Sequence, residues 1–261
     1  MKMFLLLGAL LTTTLPPVEV NLANKQQAPE EKHVAIVIDD FGNGMKGSEE
    51  ILSLPIPLTI AVMPFLSTTE KDANLAFEKG HEVIVHLPME PLHGKKSWLG
   101  PGAITTDLSN NEVKERVNTA IDAVPHAVGM NNHMGSKVTA DQRIMRIILE
   151  VCKERGLYYL DSKTTSKSVA ADLAMELKVP YLENEMFFDE QYTIAHITKQ
   201  ANLLMNKIAK DNEIIAIGHV GIAGEKTASV LKQYIPMVKQ KAEAVTLSKL
   251  FIDPEEVTDL D

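Results

Sequence analysis

The sequence predicts a single-domain α/β barrel, and three observations carry that expectation. Short apolar runs alternate with amphipathic helical patterns seven or eight times from residue 34 onward, which is the pattern of a (β/α) barrel. Of the 261 residues, about 225 remain once an N-terminal segment is set aside, enough for one such barrel. The first apolar run, Val34–Ile38, is mostly β-branched and passes straight into Asp39-Asp40-Phe41-Gly42. Such a run reads as a strand buried on both faces, ending where α/β folds bind ligands.

Taken in order, the strands are expected at Val34–Ile38, Leu58–Val62, Glu82–His86, Ala127–Met130, Leu157–Leu160, Val179–Leu182, Glu213–Ile217 and, more weakly patterned, Ala244–Leu247. Helices are expected between them. Ser67–Lys79 stops at Gly80, a common helix terminator. Asn110–Ala123 follows Ser109 with Glu112 three residues on, a capping box. Ala140–Arg155 has Thr139 as its expected cap and stops at Gly156; Ser166–Lys178 stops before Val179-Pro180. In Tyr192–Lys210, Ile194, Ile197, Ala201, Leu204 and Ile208 fall on one face. Lys226–Lys241 contains Pro236, which should kink the helix or end it early.

Apolar content of 45% and charged content of 23% are ordinary for a globular chain. The net charge of −9 argues against nucleic acid or an anionic membrane surface as the main partner. The single cysteine, Cys152, lies in a helical pattern and cannot form an intramolecular disulfide. Residues 1–23 open with Lys2, an apolar run of about a dozen residues and a polar exit, the outline of a signal peptide or N-terminal anchor. That outline points to an extracytoplasmic location. Residues 24–32 read as a polar linker, 33–252 as the barrel and 253–261 as an acidic tail.

Polar residues recur at the same end of these strands. Asp39 and Asp40 end the first, His86 the third, and Asn131-Asn132-His133 follow the fourth; Asp161 ends the fifth and His219 follows the seventh. In a barrel those ends converge. Alternation along a strand would turn Asp39 and Asp40 to different partners; two solvated acids, or a helix cap, is the plainer alternative. One carboxylate and two imidazoles, Asp40, His86 and His133, make a three-ligand divalent-metal site, for which zinc suits the ligand types best. Asp39 is then the expected general base, His219 the general acid, and Asp161 the residue orienting His219 or a neighbour. Such a set hydrolyses an amide or ester.

The segments Val37–Gly42, His86–Met89, Gly129–Ser136, Leu160–Ser162 and Ala216–His219 resemble the divergent polysaccharide deacetylases, the YibQ-like bacterial proteins. These are related to the NodB-homology enzymes of carbohydrate esterase family 4. The resemblance spans roughly residues 33–252. It implies a distorted (β/α)7 barrel that removes N-acetyl or O-acetyl groups from a polysaccharide or peptidoglycan-type glycan with a divalent metal. The sequence departs from the wider family at Glu90, where a second metal histidine is usual, and at Asn131–Ser136, where an Arg-x-Pro-x-Gly segment is usual. His133 is the expected replacement ligand. Trp98, in the Pro91–Asp107 loop, either stacks on a sugar or pins that loop. Two other readings use the same residues: a barrel hydrolase of another amide, ester or phosphoester, and a non-catalytic, metal-containing glycan- or cell-wall-binding protein.

Overall fold

The computed structural model describes residues 31–251. The expected signal segment, most of the linker and the acidic tail lie outside them. The element order is β1 His33–Phe41, α1 Ser48–Ile51, β2 Thr59–Val62, α2 Thr69–Glu78, β3 Glu82–Met89, α3 Asn110–Asp122, β4 Ala127–Met134 and α4 Gln142–Glu154. Then come β5 Tyr158–Asp161, α5 Ala170–Leu177, β6 Tyr181–Glu183, β7 Met186–Phe187, α6 Ile194–Ile208, β8 Glu213–His219, α7 Gly224–Val238 and β9 Glu243–Val245. The strands pair in parallel in the order β6-β5-β4-β3-β2-β1-β8-β7, with β9 added beside the start of β1. The result is the α/β barrel that the alternation predicts. It is curled and open: β6 and β7 are the two ends of the ladder, although only Asn184 and Glu185 separate them in sequence.

Two apolar layers explain the strand sequences. Val34, Ile36 and Ile38 of β1 join the larger core under the helices, while Ala35 and Val37 face the barrel interior with Ala61, Ile84, Leu160 and Ile217. The central strands are therefore apolar on both faces, as parallel strands covered by helices must be. Val245 and Leu247 of the C-terminal segment close the inner layer.

Three helices, α3, α4 and α6, start on a side-chain cap. Ser109 and Glu112 form the expected capping box of α3. The cap of α4 is Asp141 rather than Thr139. Asp141 accepts the Ile144 N–H at 3.0 Å, whereas the Thr139 hydroxyl donates back to the Gly135 carbonyl. α5 begins at Ala170, four residues after Ser166, because Ser166–Val169 remain in the turn that leaves β5. Pro236 sits inside the last turn of α7, which ends at Val238, short of Lys241. The missing proline N–H falls where few helical bonds remain to be lost.

Four of the strained backbone positions lie at strand ends. Positive φ occurs at Asp40 just beyond Asp39, at Phe65 after β2, at Met134 closing β4 and at Lys163 after β5. All four lie at the C-terminal mouth. Side chains rarely adopt that region, and such residues gather where a site demands a particular direction.

Candidate metal centre and its catalytic neighbours

Period-two alternation places most of the site. On β1 the interior parity that holds Ala35 and Val37 continues to Asp39; on β3 Ile84 leads to His86; on β8 Ile215 and Ile217 lead to His219. Asn131 and His133 share the inward parity of β4, whose Met130 belongs to the outer core. Asp40 has the wrong parity. It reaches the mouth because φ is 72° there and the β1–β2 register slips between Ile38 and Phe41. A bulge of this kind re-aims one side chain. The two aspartates therefore do not part company as simple alternation predicts; both carboxylates converge on His86, whose Nε2 lies 3.7 Å from Asp39 Oδ2 and 3.2 Å from Asp40 Oδ1.

Asp40, His86 and His133 come together as the sequence suggests. Asp40 Oδ1 is 3.0 Å from His133 Nδ1, and the two imidazole nitrogens are 3.1 Å apart. Two ligands each 2.0–2.1 Å from a tetrahedral zinc are about 3.3 Å apart, so this triangle has the spacing of a three-ligand face. Asp40 Oδ1 is buried and has no hydrogen-bond partner of good geometry. Both rings are held with a lone pair toward that face. His86 Nδ1–H donates to Asn131 Oδ1 at 2.7 Å, leaving Nε2 bare. His133 Nε2–H donates to the Trp98 carbonyl at 3.2 Å, leaving Nδ1 bare. Pinning of this sort by an outer acceptor is how metal-binding histidines are oriented. The donor set fits a divalent ion of the zinc type.

Charge is divided unevenly around this face. Burial pushes the Asp40 carboxyl up, but the His133 and His86 imidazoles close beside it outweigh burial and hold the group well below its ordinary range. Burial dominates at Asp39 and raises it, against the pull of His86 and His219. Burial disfavours the His219 imidazolium, yet the bond to Asp189 and the charges of Asp40, Asp189 and Asp39 raise it to about 9.

Asp189 is the residue that sequence reasoning missed. Its carboxylate accepts His219 Nδ1–H at 2.7 Å, the His219 backbone N–H at 2.8 Å and the Thr227 hydroxyl at 2.8 Å. Asp161 does not orient His219. It continues the outer parity of Tyr159 on β5, where it accepts from the Lys163 N–H and the Tyr181 hydroxyl. The signal for Asp189 was an apolar run ending in an acid, Met186-Phe187-Phe188-Asp189, but β7 is only two residues long. Glu90 is also engaged away from the triangle. It accepts from Lys137 Nζ and from the Thr106 N–H and hydroxyl, all at 2.8 Å, and so staples the 91–107 loop. That loop touches His133 through the Trp98 backbone carbonyl, and Trp98 itself is 58% exposed. On the other side, a pocket of about 300 Å³ runs from Asp40 and His219 to Met45, Tyr192 and Ile222.

Comparison with known proteins agrees with this architecture. Residues 36–251 match the sequence model of the divergent polysaccharide deacetylases. The uncharacterized protein YibQ of Escherichia coli K12 is 33% identical over 222 residues, covering 85% of this chain and 68% of YibQ. Among solved structures, an uncharacterized protein from Agrobacterium tumefaciens C58 superposes with a TM-score of 0.78 at 19% identity, covering 86% of this chain and 91% of that one. The Bc1960 peptidoglycan N-acetylglucosamine deacetylase superposes with a TM-score of 0.52 at 14% identity, covering 85% and 90%. Similarity this low in sequence speaks for a shared fold alone, but the sequence match spans the whole barrel from β1 to the C-terminal segment. The chain belongs to the divergent polysaccharide deacetylase family.

Proposed function

We propose that this protein is a divalent-metal-dependent hydrolase, zinc being the metal its ligands suit best, that removes N-acetyl or O-acetyl groups from a polysaccharide or cell-wall glycan. The observation that carries the reading is a face of three lone-pair donors, Asp40, His86 and His133, flanked by the Asp39 carboxylate and by the His219 imidazole that Asp189 holds. The family and the fold shared with a peptidoglycan deacetylase support the acyl-glycan substrate class.

An ion held by those three residues supplies Lewis acidity, polarising the acyl oxygen and lowering the pKa of water in contact with it. The chain's own groups move the protons. Asp39 takes one from the attacking water as the new C–O bond forms. Its Oδ1 accepts from Asn131, so Oδ2, on the side of His86 Nε2, is the oxygen free for that role. His219 keeps Nδ1 on Asp189 and offers its Nε2 proton to the sugar nitrogen as the C–N bond breaks. Acetate and an amine leave, and a proton returned from Asp39 to His219 through water resets the pair. An ester differs only in that oxygen receives the second proton.

The electrostatics favour an uncharged acyl sugar over a phosphoester. Arg116, Arg143, Arg146 and Arg155 belong to α3, α4 and its C-terminal end, and the lysines nearest the mouth, Lys137 and Lys163, are paired with Glu90 and Glu183. Phosphate sites ordinarily recruit such groups. The signal-like segment at residues 1–23 supports an extracytoplasmic place of action.

The test is metal analysis of the purified protein, followed by acetate release from chitooligosaccharides and from peptidoglycan fragments. Stoichiometric metal with acetate release is expected. Metal without release from any acylated glycan would leave a binding protein, and absence of metal affinity would remove the hydrolase reading.

A further inference from the structure

Asn131 lies on β4, wholly buried, with its side chain between two groups from different strands. Parallel pairing of β3 with β4 sets it directly beside His86. Its amide is used at both ends. Oδ1 accepts from His86 Nδ1 at 2.7 Å, and Nδ2 donates to Asp39 Oδ1 at 2.9 Å.

The direction of this amide is fixed by its neighbours. Reversed, Oδ1 would face the Asp39 carboxylate, two acceptors with no proton between them. Nδ2 would then face His86 Nδ1, which would have to give up its proton to Nε2, and that proton would occupy the face shared with Asp40 and His133. In the observed direction one residue does two things. It keeps His86 as the Nδ1–H tautomer, with Nε2 bare toward the ligand face. It also differentiates the Asp39 oxygens, engaging Oδ1 and leaving Oδ2 for the water. We propose that Asn131 is a two-ended positioning residue that couples ligand readiness at His86 to base orientation at Asp39. This inference rests on the hydrolase reading for Asp39 but not for His86.

Because the two ends carry different roles, substitutions can separate them. Asn131→Asp retains an oxygen for His86 Nδ1–H and replaces the donor facing Asp39 by a second carboxylate. Asn131→Leu removes both ends at similar volume. The first measurement needs no variant: long-range ¹H–¹⁵N spectra of the metal-free protein, recorded at alkaline pH where the imidazole is neutral, should show His86 as the Nδ1–H tautomer, and an Nε2–H tautomer would overturn the proposal. Competition with a chelator should then show zinc binding weakened about 10–100-fold in Asn131→Leu and within about threefold of the parent in Asn131→Asp, whose acceptor persists. Acetate release from N-acetylated chitooligosaccharide should fall about 100-fold or more in Asn131→Asp. Zinc binding unchanged in folded Asn131→Leu, or lost equally in both variants, refutes the two-ended role. A parent that binds zinc but releases no acetate counts against the hydrolase reading, while the tautomer and zinc measurements still decide the His86 end. If a variant fails to fold, the parent spectrum decides alone.

Discussion

Replacing Asp189 by asparagine tests the proton donor directly. His219 is raised to about 9 from an ordinary 6.5, despite burial that works the other way. That gap corresponds to roughly 3 kcal/mol favouring the imidazolium, at about 1.4 kcal/mol per pH unit. Solvent reaches 32% of the His219 side chain, and Asp40 and Asp39 supply part of the attraction. The share of Asp189 is therefore about 1–2 kcal/mol. Asparagine keeps one acceptor but turns an N–H₂ toward donors that now converge on the carboxylate. In the metal-free protein, the His219 ring resonance should titrate near 9 in the parent and near 8 or lower in Asp189→Asn. The basic limb of the pH–rate profile should move the same way. The sign for stability follows from linkage: with the folded value raised, the stabilisation is fully present below about 6.5 and is lost as pH rises through about 9. The stability difference between parent and variant should therefore shrink across that interval. A parent His219 that titrates near 6.5, or a midpoint indifferent to the substitution, would refute the assigned role of Asp189.

Other substitutions address the remaining parts of the site. Asp39→Asn should lower turnover about 10²–10⁴-fold while zinc stays bound, measured by paired activity and metal analysis. His133→Ala should lose tight zinc binding by calorimetry; affinity equal to the parent's would remove His133 from the ligand set. Prolonged dialysis against a chelator should abolish acetate release, and zinc or cobalt should restore it. Gly224→Ala probes the fold, because an added Cβ would lie 2.1 Å from the Lys46 carbonyl oxygen. A cost of about 2 kcal/mol or more is expected, read as a fall in Tm of roughly 4–8 °C.

Much of the barrel was legible because each long strand carries its own apolar run and each run stops at a polar residue. Three of the site residues were legible for the same reason: Asp39, His86 and His219 continue the interior parity of their strands. What could not be read depends on departures from regular geometry. Nothing in the Asp-Asp pair announces the slip between Ile38 and Phe41 that turns Asp40 inward. Asp161 stands at a strand end but on the outer face with Tyr159, a parity that the four buried residues of β5 do not display. Asp189 follows a two-residue strand, too brief to show periodicity. Asn131 was visible as a residue, but its role depends on a cross-strand neighbour that only pairing register reveals.

The unclosed seam between β6 and β7 has a mechanical consequence. His86 and His133 stand on β3 and β4, each eight residues long and flanked by other strands, whereas Asp189 hangs from β7, at the border of the ladder. Border strands of two and three residues have few bonds to break before they fray. Amide exchange should accordingly be faster at Met186 and Phe187 than at Val85 and His86. On the proposed hydrolase reading, the histidines that would hold the ion stand in the stiff wall and the partner of the proton donor in the compliant one, so fraying at β7 would loosen Asp189 while leaving His86 and His133 in place.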